Sequence, residues 1–307
     1  MTSCLMVKAP DRLVAVADGR LSLSDTKVSF DTTMKIVGFT PRYRIHVISM
    51  GRFSHFNAYT ARDWFVGYAG SYALVEEVLN LFRKRISERL VLVWEGGAAV
   101  LAYEFDTRWG FDESYHFGAH QYPEITPEIV AWEFKAAAQE KCDEWSRNRR
   151  IFPDCEFLLF GQDPKHKYSA FKVTCDRAGW SPGASVRIQA DAARDGDLMA
   201  IGSRAVASAA FGDADLLAGL EGWRADQSRA GVAAMLADPM WRDMFAGDEP
   251  KPAPAPAPPP PVLDWSVEQV AARFCDLLRS TGDASVGGSL TVASGVWFGG
   301  VSLKSRT

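Results

Sequence analysis

Thr2-Ser3-Cys4-Leu5-Met6-Val7-Lys8, a break at Ala9-Pro10-Asp11-Arg12, and then Leu13-Val14-Ala15-Val16-Ala17-Asp18-Gly19-Arg20 form the stretch that decides the fold. The first run carries β-branched and apolar residues with no breaker, and reads as a strand. Pro10-Asp11 is turn chemistry, and the second run reads as a strand that ends at Gly19. The pair predicts a hairpin, with the residue behind Met1 placed in a buried ladder. A small residue at position two normally loses the methionine before it. Thr2 would then carry a hydroxyl and a free α-amine together. An α-amine titrates at about 7.7–8.0, so part of it is neutral near pH 7 and accepts a proton. A threonine activated by its own amine is one recognised way to make an alcohol attack a carbonyl. Met-Thr alone is a common start; the weight comes from Asp18, sixteen positions after Thr2.

Further elements follow in order. Asp31-Thr32-Thr33-Met34-Lys35-Ile36-Val37 reads as a strand carrying Lys35. Phe65-Val66-Gly67-Tyr68-Ala69-Gly70-Ser71 is a Gly-rich turn into a helix over 72–82, whose apolar residues at 74, 75, 78, 79, 81 and 82 have helical spacing. Leu198 to Ser203 is a strand and a Gly-Ser turn. Ser266 to Leu278 reads as a last helix, followed by the turn and strand Asp283-Ala284-Ser285-Val286-Gly287-Gly288-Ser289-Leu290-Thr291-Val292.

This series resembles proteasome β-subunits and their bacterial relatives, the N-terminal-nucleophile hydrolases, over most of the chain. The resemblance implies an α+β fold: a four-layer αββα sandwich of two antiparallel sheets between helix layers. It implies Thr2 as nucleophile, with Asp18 and Lys35 as a buried pair beside it. The lysine's charge would lower the amine's pKa. Gly70 would present its N–H to the oxyanion. Ser203 and Asp283 would hydrogen-bond near the terminal amine. Val286 stands where the family has serine, and Ser285 is one place off. Tyr68 and Tyr72, two residues either side of Gly70, would shape a shallow substrate pocket. Glu76, one turn further, would favour a basic group. The implied activity is hydrolysis of peptide or amide bonds in a self-compartmentalising homo-oligomer, with no cofactor. The substrate would be a peptide or protein, with room left for an unfoldase or regulatory partner. The rival readings are an amidase acting on a small molecule and an inactive scaffold or binding protein.

The domain expectation is a core over 2–212 and 263–303, with a helical insertion over 213–262. Residues 250–262 hold eight prolines, a composition that favours extended polyproline II over core packing. Two regions fall outside the resemblance. The stretch between Lys35 and Gly70 is longer than usual, and Val91 to Phe105 is apolar and glycine-broken, a short strand pair or an irregular excursion. Thr126-Pro127-Glu128 opens a helix to about Asn148, with a cap residue, proline in the first turn and an acid at the positive end of the dipole. Cys155–Gly161 and Tyr168–Cys175 read as two strands around Asp163-Pro164.

The 307 residues are 47% hydrophobic with 18 Phe and 10 Trp, ample for a large core. A net charge of -4 argues against a general nucleic-acid binder. Five cysteines without C-x-x-C suit a reducing compartment. No signal peptide leads the chain and no apolar run reaches membrane length, so a cytoplasmic protein away from membranes is expected. His116 and His120 are four apart, but a poor helix lies between them and no further ligand stands at metal spacing. Trp94-Glu95-Gly96-Gly97 lacks the ending of a phosphate loop. No metal is expected.

Overall fold

In a computed structural model, described for residues 3–22, 29–30, 33–49, 52–58, 62–95, 98–103, 123–224, 264–283, 286–296 and 301–306, the opening hairpin forms as its sequence predicts. β1 (Ser3–Lys8) pairs antiparallel with β2 (Arg12–Asp18), Cys4 opposite Ala17 and Lys8 opposite Leu13. The Ala9 N–H donates to the Arg12 carbonyl at 2.8 Å and closes the turn. The second strand ends at Asp18, two residues short of Arg20, because the chain turns there to meet Gly287.

The hairpin lies inside a five-stranded sheet ordered β14 (Met199–Gly202), β1, β2, β15 (Leu290–Val296), β16 (Val301–Arg306). A second five-stranded sheet runs β13 (Arg187–Ala192), β12 (Tyr168–Asp176), β11 (Cys155–Gln162), β8 (Trp64–Gly70), β5 (Ile36–Phe39). Neighbours in both sheets pair antiparallel. The described helices are α1 (Tyr72–Lys84), α2 (Pro127–Arg149), α3 (Arg204–Phe211), α4 (Ala214–Gly219), α5 (Glu221–Arg224) and α6 (Val267–Ser280).

Alternation along each strand sends side chains to two apolar clusters. Cys4, Met6, Ala15 and Ala17 meet Phe65, Ala69, Leu158 and Phe160 of the second sheet. Leu5, Val7, Val14 and Val16 point the other way, to Val206, Leu216, Trp223 and Phe274 of α3 to α6. The other face of the second sheet, with Val66, Phe157 and Leu159, packs on Leu74, Val78 and Phe82 of α1 and Val130 and Phe134 of α2. Strands buried on both faces lose the polar half of the period-two pattern, which is why the opening hairpin reads as continuous apolar runs. Edge-to-face contacts at 4.9 Å (Phe82–Phe134) and 5.0 Å (Phe134–Phe157) fix α1, α2 and β11 together, each worth about 0.5–1.5 kcal/mol beyond area burial.

Both regions outside the resemblance turn out to be partners. β6 (Tyr43–Ser49) and β7 (Arg52–Ala58) form one hairpin, β9 (Leu90–Glu95) and β10 (Ala98–Tyr103) another. They join through a parallel β6–β9 pairing, Arg44 with Val91 and Ile45 with Leu92, into a further four-stranded sheet. The two-sheet expectation is corrected to that extent. β3 (Leu21–Ser22) and β4 (Ser29–Phe30) make a short ribbon.

α6 starts on a capping box: Ser266 accepts from the Gln269 N–H while the Gln269 side chain accepts from the Ser266 N–H. The described part of the 213–262 region packs on the core. Leu216, Leu220 and Trp223 are buried, and the Trp223 indole N–H donates to the Trp265 carbonyl at 2.9 Å. The Arg12 guanidinium lies 4.5 Å from the Trp223 ring and donates to Asp264 at 2.6 Å. The Pro-rich stretch, His116, His120 and the glycines 96 and 97 lie outside the described residues. Among the described residues no helix is long and apolar enough to cross a membrane.

Candidate functional site

The site is built at the start of β1, where the hairpin brings Asp18, the last residue of β2, back beside Ser3. Asp18 is fully buried. Its carboxylate accepts from the N–H groups of Ser3 at 2.6 Å, Gly287 at 3.2 Å and Arg20 at 3.3 Å. Burial raises its pKa to about 6 against the pull of those hydrogen bonds and of the nearby Lys35 charge. The Gly19 N–H donates to the Gly287 carbonyl at 3.2 Å, and the Thr33 N–H to the Gly19 carbonyl at 3.0 Å. Gly287 has φ +148 and a Cβ there would lie 3.0 Å from the Arg20 guanidinium, so a side chain would be strained and crowded.

Lys35 is 1% exposed. It sits just before β5 and not on a strand, a correction to the sequence expectation. Its carbonyl accepts from the Tyr68 N–H at 3.1 Å, and its Nζ lies 5.5 Å from the Tyr68 ring centre. The Tyr68 hydroxyl donates to the Met34 carbonyl at 2.8 Å. Burial lowers the Lys35 pKa and the Asp18 charge opposes the shift. Each group of this pair is thus pushed towards neutrality by burial and held back by the other.

Ser203 caps α3, its Oγ accepting from the Val206 N–H at 3.4 Å. The same hydroxyl donates to Asp283 Oδ2 at 2.5 Å, and the Ser203 N–H donates to Ser3 Oγ at 3.0 Å. Asp283, Ser203, Ser3 and Asp18 therefore form one hydrogen-bonded series that links β1, β2, the start of α3 and the turn after α6. Val286 is 6% exposed and packs into the cluster under α6, supplying no hydroxyl. Ser3 is the member that sequence reasoning missed; its position next to Thr2 was the available signal. Glu156 was missed too. Its carboxylate accepts the Gly202 N–H at 2.7 Å and holds the turn before Ser203.

Gly70 ends β8 opposite Cys155, with φ +110. A Cβ there would fall 2.1 Å from the Asp154 carbonyl oxygen, so the close approach requires glycine. The Ser71 N–H donates to that same carbonyl at 2.9 Å. Tyr68 is buried in the α1–α2 cluster, Tyr72 is 41% exposed on the first turn of α1, and Glu76 is half-buried one turn on. Thr2 lies outside the described residues.

No protein-family model and no curated protein matches the chain. Solved structures do. The helical assembly of the Anbu complex from Pseudomonas aeruginosa is 15% identical at a TM-score of 0.51, over 99% of this chain and 85% of that one. The Anbu Gly-1 mutant from Hyphomicrobium sp. strain MC1 is 14% identical at 0.50, over 99% and 87%. Anbu (ancestral beta-subunit) from Yersinia bercovieri is 13% identical over 96% and 81%, at 0.48. These findings correct the resemblance drawn from sequence. The solved structures belong to a distinct proteasome-like family, and nothing matched supports membership of the bacterial proteasome β-subunits among N-terminal-nucleophile hydrolases. The misassignment has a physical source: a strand ending in Asp-Gly and a Gly-Ser turn before a helix are demands of the shared fold, not marks of one family. What this chain shares with the Anbu proteins is the fold.

Proposed function

We propose that the chain is a threonine peptidase or amidohydrolase with Thr2 as nucleophile once Met1 is removed. The observation that carries the reading is the 2.6 Å hydrogen bond from the Ser3 N–H to buried Asp18. It holds Ser3, the residue that follows Thr2 in the sequence, on the buried Asp18 carboxylate, and the Ser3 hydroxyl accepts from the N–H of Ser203, itself bonded to Asp283. In this reading the Thr2 hydroxyl attacks the carbonyl carbon and its α-amine takes the proton. The Gly70 N–H stabilises the oxyanion. Collapse expels the amine with that proton, and water then releases the acyl group from Thr2. Lys35, when charged, favours the neutral amine; Ser203 and Asp283 orient the amine. Tyr72 and Glu76 border the substrate, and Tyr68 acts beneath them by supporting Lys35.

The three apolar clusters support a four-layer αββα stacking with the added sheet at its margin. The buried Leu216 and Trp223 support an insertion that is anchored at its start before the Pro-rich stretch. The Anbu complex from Pseudomonas aeruginosa is a helical assembly, and we extend self-association to this chain. Incubation with a threonine-directed epoxyketone should shift the mass of the N-terminal peptide, and Thr2→Ala should abolish both labelling and peptide hydrolysis with melting unchanged. Normal hydrolysis by protein that retains Met1 would sink the mechanism. The absence of a hydroxyl at Val286 favours a second reading, a non-catalytic assembly protein; self-association without labelling would select it.

A further inference from the structure

Three cysteines far apart in sequence meet at one corner of the second sheet. Cys142 comes from α2, Cys155 opens β11 and Cys175 lies near the end of β12. Their Sγ atoms are 3.7 Å (Cys142–Cys155), 3.6 Å (Cys142–Cys175) and 3.6 Å (Cys155–Cys175) apart. Cys142 and Cys155 are buried and Cys175 is partly buried. The proposed hydrolytic mechanism uses none of them.

We propose that Cys142, Cys155 and Cys175 form a trithiolate site for one soft divalent cation, zinc by its geometry. A tetrahedral zinc with Zn–S bonds of about 2.3 Å sets its sulfurs about 3.8 Å apart. The near-equilateral triangle matches one face of that tetrahedron. A fourth ligand, such as water, would be needed to complete the tetrahedron. A disulfide fits less well: it joins two sulfurs at about 2.05 Å and leaves the third odd, whereas no pair here is favoured. The neighbouring charges suit a cation. The Asp143 carboxylate acts electrostatically on Cys142, and that of Asp154 on Cys175. An activated catalytic thiolate would want positive surroundings instead. Binding replaces three S–H bonds by three metal–sulfur bonds and releases three protons to solvent. The site also braces the turn behind Gly70, since Cys155 pairs with Gly70 and the Asp154 carbonyl accepts the Ser71 N–H.

Reduced, chelator-treated full-length protein titrated with Co(II) should develop a sulfur-to-cobalt charge-transfer band saturating at one equivalent. Zn(II) should bleach it. Cys142→Ser, Cys155→Ser and Cys175→Ser should each weaken binding by about tenfold or more, while Cys4→Ser and Cys275→Ser leave it unchanged. If the serine variants fail to fold, wild-type protein decides: Zn(II) should block alkylation of Cys175 by iodoacetamide, read by peptide mass. No charge-transfer band, a band that survives all three substitutions, or Cys175 alkylated equally with and without Zn(II) would overturn the site. None of these readouts depends on Thr2 or on hydrolysis.

Discussion

Two corners of this protein bury reactive side chains, and they stabilise them differently. At the Asp18 corner the backbone does the work. Three N–H groups point at one carboxylate, and Lys35 stands near enough to pull its pKa down. At the corner of α2, β11 and β12, three sulfurs face one another at 3.6–3.7 Å. A carboxylate can be held by dipoles fixed in the folded backbone, so it needs only a turn of the right shape. Thiols are weak donors and acceptors, so a cluster of them gains most from a cation. The first corner is complete in the folded chain alone; the second is completed by a ligand.

The largest expected effect tests whether the Asp18 corner also needs its lysine. Lys35→Met leaves Asp18 buried with its partner's charge removed. The cost should be about 3–5 kcal/mol at pH 7.5, read by denaturant melts, and smaller at pH 5, where the carboxyl takes a proton. A variant as stable as wild type at both pH values would show that the backbone N–H groups suffice.

The next effect concerns pH. The Asp18 pKa is about 6 in the fold against an ordinary 3.8, so the folded state holds its proton more tightly than the unfolded one. That contribution is fully present below pH 3.8 and is lost as pH rises through about 6. The loss amounts to about 3 kcal/mol, at about 1.4 kcal/mol per unit. Asp18→Asn should remove this slope, so the stability difference between the two proteins should change between pH 4 and pH 6.5. Parallel curves would mean that Asp18 titrates normally.

Gly70→Ala links the two corners, because its Cβ would meet the Asp154 carbonyl next to Cys155. A cost of about 1–3 kcal/mol is expected from the strained backbone. If Gly70 supplies the oxyanion contact, displacing it should also lower kcat on the order of 100-fold. Lost stability with intact kcat would leave Gly70 a structural turn. The smallest effect is Ser203→Ala, which removes the bond to Asp283 and the weak cap on the Val206 N–H but keeps the backbone N–H to Ser3 Oγ. About 1 kcal/mol is expected; a much larger loss would mean that the series to Asp18 acts as one unit.

Most of the fold was legible where local pattern and burial agree. The helix predicted over 72–82 runs from Tyr72 to Lys84, and the one opening at Thr126-Pro127 runs to Arg149. The strands at Cys155–Gln162 and Tyr168–Asp176 pair around the Asp163 turn as predicted. Other pairings were not legible. The two regions left outside the resemblance carry ordinary strand signals, but their parallel β6–β9 contact joins segments some forty residues apart. Of the strand expected around Lys35, only Ile36 onward forms β5: the Thr33 N–H is taken by the Gly19 carbonyl, while the Lys35 carbonyl accepts from Tyr68 in line with the β5–β8 pairing.

The sequence by itself determined the hairpin, its Asp18 end and the helices, because periodicity, caps and turn residues act over a few neighbours. Only the tertiary structure decided that Ser3 bonds both Asp18 and Ser203, since those contacts need strands 15 and 200 residues apart to align. It also decided the meeting of Cys142, Cys155 and Cys175. Their spacings of 13, 20 and 33 follow no ligand motif. Metal ligands need to be close in space rather than in sequence, and it is the packing of α2 on β11 and β12 that brings these three together.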